Sequence, residues 1–328
     1  MYLSLLRTVS AFSLSSSIFT ISSATALSTM ASSSKIIDSH LHVWADSDEA
    51  SEQGFPYAES QNPPDSLRDV ASTASLLKQM NANSVTGSLI VQPINHKFDH
   101  SYVIKAIEKH PDRFKGMLLH DPSLSPEDAV SRLEDLALKG FVGVRFNPYL
   151  WPKSEGDDGG WIPMSTPGGG GEAVYTRCAE LRMPVGVMCF RGLQLHYEDI
   201  LQMLKTSPKT TMILDHFGFT SFTPEGDKAF QQLLSLADSP QVFVKISALF
   251  RLKDASPYER VRQERFDPLL KAFGADRLMF GTDFPFVLEH EPERYGGMVE
   301  LVSRWIEDAS TRDMVMGGTA EKVFGPWG

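Results

Sequence analysis

Three histidines and one aspartate stand where a metal ion or an activated water could be held. His40 and His42 lie two residues apart in Asp38-Ser39-His40-Leu41-His42-Val43-Trp44. In an extended strand that spacing turns both rings to one face. His216 closes the run Leu214-Asp215-His216 ahead of Phe217-Gly218, and Asp283 closes Phe280-Gly281-Thr282-Asp283 ahead of Phe284-Pro285. Three imidazoles and a carboxylate suit a Zn2+-type ion, and the carboxylate can instead take a proton from water. Each residue alone has a plainer use, as a buried hydrogen-bonded histidine or as an aspartate capping the helix after its strand. A His-x-His pair is weak by itself among nine histidines. Its combination with a histidine and an aspartate at two other strand ends carries the weight.

Cations near the same strand ends suggest what would be bound. Arg145 follows the fourth apolar run, Arg191 the fifth, Lys245 lies within the seventh and Arg251 just beyond it. An arginine fork holds a carboxylate through two parallel hydrogen bonds. Each could equally serve a surface ion pair, and Lys245, in mid-strand, equally an internal pair with an acid. Gln92, His120 and Asp121 are further polar candidates at strand ends, and Tyr149, Trp151 and Trp161 could wall a substrate or pack their own loop. Glu155-Gly156-Asp157-Asp158, in that same loop, reads as a solvated acidic patch. Cys189 reads as a buried structural thiol rather than a soft ligand. The expected partner is a small hydroxylated or carboxylated molecule. A formal net charge of −10 argues against nucleic acid, whose phosphates need a basic face.

The elements that must position these residues alternate along the chain. Eight short apolar runs read as strands: 36–44, 85–92, 114–120, 142–146, 185–190, 211–216, 242–247 and 277–283. Amphipathic helical patterns separate them, among them 102–110, 126–139, 172–182, 197–206 and 258–273. Such alternation means parallel strands with crossover helices, an α/β chain. About 295 residues suit one (β/α)8 barrel. An open doubly wound sheet loses ground because no glycine-rich phosphate loop follows the first strand. Two long polar segments, 46–64 and 148–171, follow strands and read as lids or substrate walls.

Residues 1–34 differ from the remainder. They hold twelve serines, one basic residue (Arg7) and no acid. That composition reads as an organellar transit peptide, with the chloroplast favoured, ahead of a barrel domain over 35–328. The alternatives are a secretory signal, or a cytoplasmic form begun at Met30. No stretch approaches the roughly 18 apolar residues of a membrane span, and two cysteines cannot form a disulfide framework.

Taken in order, Asp38-Ser39-His40-Leu41-His42-Val43-Trp44, Gly143-Val144-Arg145, Asp215-His216-Phe217-Gly218, Val244-Lys245-Ile246-Ser247 and Gly281-Thr282-Asp283-Phe284-Pro285 resemble the amidohydrolase-related (amidohydrolase-2) family. Within it the likeness is to the lactonases that open sugar lactones or 2-pyrone-4,6-dicarboxylate. The resemblance implies a distorted TIM barrel with its site at the strand C-termini. It implies a hydrolase in which Asp283 activates water, His40, His42 or a metal polarises a lactone carbonyl, and His216 assists; from their own positions Arg145, Arg191, Gln92 and Lys245 are expected to hold the substrate. The alternatives are a metal-dependent decarboxylase of the same branch and a barrel kept only for binding. Two departures bear on the metal. The fifth strand, Pro184-Val185-Gly186-Val187-Met188-Cys189-Phe190, lacks the histidine of many relatives, and Val144-Arg145-Phe146 offers no bridging Lys or Glu. A binuclear centre is therefore not expected. The expectation is one divalent cation such as Zn2+, on His40, His42, His216 and Asp283, or none.

Overall fold

The computed structural model describes residues 35–154 and 160–328. Residues 1–34, the expected leader, and the Glu155–Asp158 acidic patch lie outside the described residues. Eight parallel strands follow one another in chain order: β1 (Ile36–Leu41), β2 (Val85–Val91), β3 (Phe114–Leu119), β4 (Phe141–Phe146), β5 (Val185–Val187), β6 (Met212–Leu214), β7 (Val242–Ile246) and β8 (Leu278–Phe280). Helices cross between them, as in an α/β barrel. Strands covered on both faces need not alternate apolar and polar residues, so they read as continuous runs of Val, Ile, Leu, Met and Phe.

The barrel is distorted at its closure. Parallel ladders join each strand to the next, with register shifts in the β1–β2 and β3–β4 pairs, but β8 and β1 meet only near their C-terminal ends. There Asp283 N–H donates to His40 O at 2.8 Å, and His42 N–H donates to Phe284 O at 2.6 Å. Close approach at this seam requires Gly281. A Cβ there would lie 2.9 Å from both the His40 Cβ and its backbone nitrogen.

β1 itself slips register between Asp38 and Leu41. Ile37 packs with Leu89, Val91, Met117, Ile213 and Met279, whereas Leu41 packs in the other, larger cluster. Residues four apart in an unbroken strand would share a face, so the irregularity redirects the second half of β1. Phe324 and Trp327 complete the smaller cluster, with the Trp327 ring filling the space that a Cβ on Gly87 would need.

The strands are shorter than their apolar runs, because Trp44, Gln92, Phe190, His216 and Asp283 all lie beyond the last ladder residues. Two of the crossover helices begin at side-chain caps followed by proline. Ser125 Oγ accepts from Asp128 N–H with Pro126 in the first turn, and Thr223 Oγ1 accepts from Gly226 N–H ahead of Pro224. The helix expected over 258–273 widens to a π turn at Arg262–Phe266, immediately ahead of Asp267 and Pro268. Pro268 has no amide proton to continue the regular ladder.

Candidate active site

All four residues of the expected cluster reach the C-terminal mouth of the barrel. β1 delivers His40, and His42 stands one residue past its end. His216 and Asp283 follow β6 and β8, in backbone with positive φ: 52° at His216, 54° at Phe217, 62° at Gly218, 55° at Phe219 and 61° at Asp283. Left-handed backbone is strained for side-chain-bearing residues and concentrates at functional sites. Here it has a visible purpose. Adjacent residues in a strand point to opposite faces, yet this turn lets neighbouring Asp215 and His216 both serve the mouth.

The imidazoles converge on one carboxylate oxygen. Asp283 Oδ1 stands 3.5 Å from His42 Nε2, 3.8 Å from His216 Nε2 and 4.0 Å from His40 Nε2. His40, His216 and Asp283 offer ligand atoms all within 4.8 Å of one another. His40 Nε2 and Asp283 Oδ1 are buried without a hydrogen-bond partner. Donors about 2.0–2.2 Å from a tetrahedral ion stand roughly 3.3–3.6 Å apart, so the cluster is slightly wider than a loaded site.

Hydrogen bonding on the far side of each ring also fits. His42 Nδ1 lies 2.8 Å from Val91 O, which can only accept, so this nitrogen carries a proton. Its Nε2 faces Asp283 Oδ1 at 3.5 Å, an approach that a proton on Nε2 or a cation between the two atoms would make favourable. His216 Nδ1 meets Ser247 Oγ at 2.8 Å. His40 Nδ1 lies between Asp215 Oδ1 at 3.2 Å and Lys245 Nζ at 3.1 Å. Lys245 can only donate and Asp215 only accept, so with the ring proton on Nδ1 toward Asp215, His40 Nε2 would be free to bind, as with a carboxylate behind a metal-binding histidine.

The electrostatics keep the ligands in their binding forms. Burial lowers His216 to about 3, and burial with the neighbouring Lys245 charge holds His40 well below its ordinary value. Both rings are therefore neutral near pH 7, as metal binding requires. Burial alone would raise Asp283, but the Arg251 guanidinium beside it holds its carboxyl well below the usual range. Arg251 donates from both Nε and Nη2 to Asp283 Oδ2, each at 3.0 Å, leaving Oδ1 toward the imidazoles.

A cavity of about 320 Å3 opens above the cluster. Trp44, Leu119, Met188, Phe219 and Phe286 supply apolar wall, while His42, Gln92, Arg145, Asn147, His216 and Asp283 supply polar groups. The four binding residues expected from the sequence part company here. Arg145 lines the cavity and pairs through Nε with Asp215 Oδ2 at 3.3 Å. Gln92 lines it with Oε1 unpartnered, its amide nitrogen donating to Lys97 O and Asp99 O. Lys245 is fully buried behind His40, 3.6 Å from Asp215, and does not line the cavity. A substrate contact is thus replaced by an internal ion pair. Arg191 is exposed outside the cavity, its guanidinium over the Tyr149 and Trp161 rings.

Other expectations shift as well. No described residue of 46–64 or 148–171 lines this cavity, so the described parts of these segments do not form its wall. Residues 47–52 form a capped helical turn instead. Trp151 and His120 are buried against each other and Phe146. Two functional acids were not singled out from the sequence. Asp215 stands behind His40 between two cations. Asp38, fully buried, accepts from the Thr282 amide and hydroxyl at 2.9 and 2.6 Å and so ties β1 to the segment bearing Asp283. Each is an acid at the edge of an apolar run and next to a histidine motif, which was the available signal.

A parallel eight-stranded barrel with a His-His-Asp cluster at its C-terminal mouth, able to hold one divalent cation, defines an amidohydrolase-type active site of the hydrolase/lyase kind. Residues 37–325 match the amidohydrolase family model, and the chain belongs to that family of enzymes. The 4-sulfomuconolactone hydrolase of Hydrogenophaga intermedia is 25% identical over 303 residues, covering 88% of either chain. Among solved structures, a probable 2-pyrone-4,6-dicarboxylic acid hydrolase from Acinetobacter baumannii with citric acid bound superposes with a TM-score of 0.70. It is 20% identical and matches 89% of this chain and 99% of that one. A zinc-bound amidohydrolase from Burkholderia multivorans superposes at 0.65, with 19% identity over 89% of this chain and 99% of that one. At these identities the structural likenesses establish the fold.

Proposed function

We propose that the protein is a metal-dependent hydrolase that opens a small hydroxylated or carboxylated lactone. The observation that carries this reading is the convergence of three imidazole Nε2 atoms on the unpartnered Oδ1 of Asp283. It fits metal dependence better than the metal-free expectation in which Asp283 alone activates water. His40, His216 and Asp283 would hold the ion, with His42 beside them. A bound Zn2+-type ion supplies Lewis acidity toward the carbonyl and a lowered pKa for water.

The remaining work falls to the chain. Arg251 fixes Asp283 so that Oδ1 faces the reacting atoms. Asp283, held ionised, takes a proton from the attacking water as its oxygen bonds to the carbonyl carbon. The ring C–O bond then breaks, and the proton passes to the leaving ring oxygen. Arg145 and Gln92 orient the substrate, with the Arg145 guanidinium toward a carboxylate or hydroxyl. The apolar wall excludes bulk water and strengthens these interactions.

Lactone opening is preferred over other chemistry because a relative similar across 88% of both chains is named a lactone hydrolase. The same cluster also supports a second reading, metal-dependent decarboxylation, which would use Arg145 to hold a carboxylate. Turnover of a lactone and carboxylic-acid panel separates them. Acid release in a pH-stat supports the hydrolase, and carbon dioxide release without ring opening overturns it. We also propose that residues 1–34 are an organellar address. A reporter carrying them should enter a plastid, and a reporter left in the cytoplasm refutes this.

A further inference from the structure

The inner cavity does not end at its own mouth. A second chamber of about 550 Å3 shares four of its walls, Phe190, Phe219, Arg251 and Phe286. Beyond them it is lined by Arg191, Phe250, Lys253 and His290, among others. Phe250 and His290 stack face to face, with centroids 3.9 Å apart and planes 13° apart. The Arg251 guanidinium lies 5.1 Å from the Phe286 ring centroid and 5.3 Å from that of Phe250. Phe190 is 54% exposed where the two chambers adjoin.

The charge of this chamber runs against that of the chain. In a protein of net charge −10, three cations line it. Arg251 is paired with Asp283, but Arg191 and Lys253 meet no carboxylate among the described residues. The one acid in the lining, Glu289, accepts a hydrogen bond from the Ser66 hydroxyl. Aromatic faces beside unpaired cations complement a flat ring that bears a negative group.

We propose that the outer chamber is a binding subsite for an aryl group carrying an anion, joined to the ring that reacts in the inner cavity. This rests on the reading of the inner cavity as a lactone site. The substrate class becomes a lactone with an anionic aryl substituent rather than a compact monocycle. Phe190, Phe250 and His290 receive the aryl ring, and Arg191 and Lys253 select its charge.

Three probes test it by calorimetric binding to the full chain loaded with zinc: γ-butyrolactone, its 5-phenyl derivative, and the 5-(4-carboxyphenyl) derivative. The carboxyphenyl compound should bind at least about tenfold more tightly than the phenyl compound, and the phenyl compound more tightly than the parent. Lys253→Glu and Arg191→Ala should each reduce the ratio of carboxyphenyl to phenyl affinity by about threefold or more. Reading the ratio separates charge selection from damage to the site, since misfolding would weaken both compounds together. Equal affinity for the two aryl compounds, or ratios unmoved by both variants, overturns the proposal. If the ratio behaves as stated but no lactone is opened, the subsite stands and the hydrolase reading fails.

Discussion

Replacing Gly281 by alanine should damage the site through a single methyl group that touches no substrate. The added Cβ would sit 2.9 Å from the His40 Cβ and backbone nitrogen and 3.2 Å from the Ser247 Cβ. Ordinary contacts at such carbons are 3.4–4 Å, so β1 and β8 must part by about 0.5–1 Å. The displaced strand end carries His40, and Ser247 is the partner of the His216 Nδ1. Overpacking of this kind costs about 1–3 kcal/mol, which for a chain of this length lowers Tm by roughly 2–10 °C. The larger effect should be on function. A shift of about 1 Å in a catalytic constellation can cost about a hundredfold in rate, and disturbed support of a ligand lowers metal affinity by about 10–100-fold. Chelator competition for zinc, a melting curve and kcat/KM on the best lactone of the panel measure all three. A variant that melts like the parent and binds zinc with unchanged affinity would refute the claim that close approach at this seam sets the cluster.

Two further perturbations probe the buried charges. Asp215→Asn removes the carboxylate facing His40, Lys245 and Arg145, and should cost about 3–5 kcal/mol of stability by leaving cations buried without a partner. Zinc affinity should fall about 10–100-fold with it, and unchanged melting and chelator curves would contradict the role assigned to this acid. His100, lowered to about 4 by burial and by the Arg132 charge, accepts from Leu119 N–H through Nε2. Its unfolded form binds a proton below pH 6.5, so stability should fall as pH drops from about 6.5 to 4, by about 3 kcal/mol from this residue. His100→Gln should flatten that part of the denaturant-measured stability profile, and an unaltered profile would refute the assignment.

Much of the barrel was legible because buried parallel strands must be continuously apolar, and eight such runs are separated by capped helical patterns. The strand ends were less legible. Apolar composition continues to Trp44 and Phe190, where the chain has already left its ladder to line the mouth. Pairing by parity succeeded for His40 and His42 but hid Asp215, whose neighbour His216 should have faced the other way. Only the left-handed turn after β6 places both. Lys245 was ambiguous for a related reason. Its face of β7 is inward, but inward residues at that depth meet other side chains rather than substrate. Long loops after strands suggested a lid, whereas none of their described residues lines the cavity.

The central claim is that His40, His216 and Asp283 together hold one divalent cation on which activity depends. Elemental analysis of the purified protein and of Asp283→Asn, each stripped and then reloaded with zinc, tests it most directly. The account predicts close to one zinc per parent chain, loss of turnover on stripping and recovery on reloading. It predicts a variant that keeps its melting behaviour within a few degrees, binds zinc at least about tenfold more weakly, and loses more than about a hundredfold in rate. A parent that hydrolyses its lactone at full rate after stripping, or an Asp283→Asn variant that retains tight stoichiometric zinc, would contradict it.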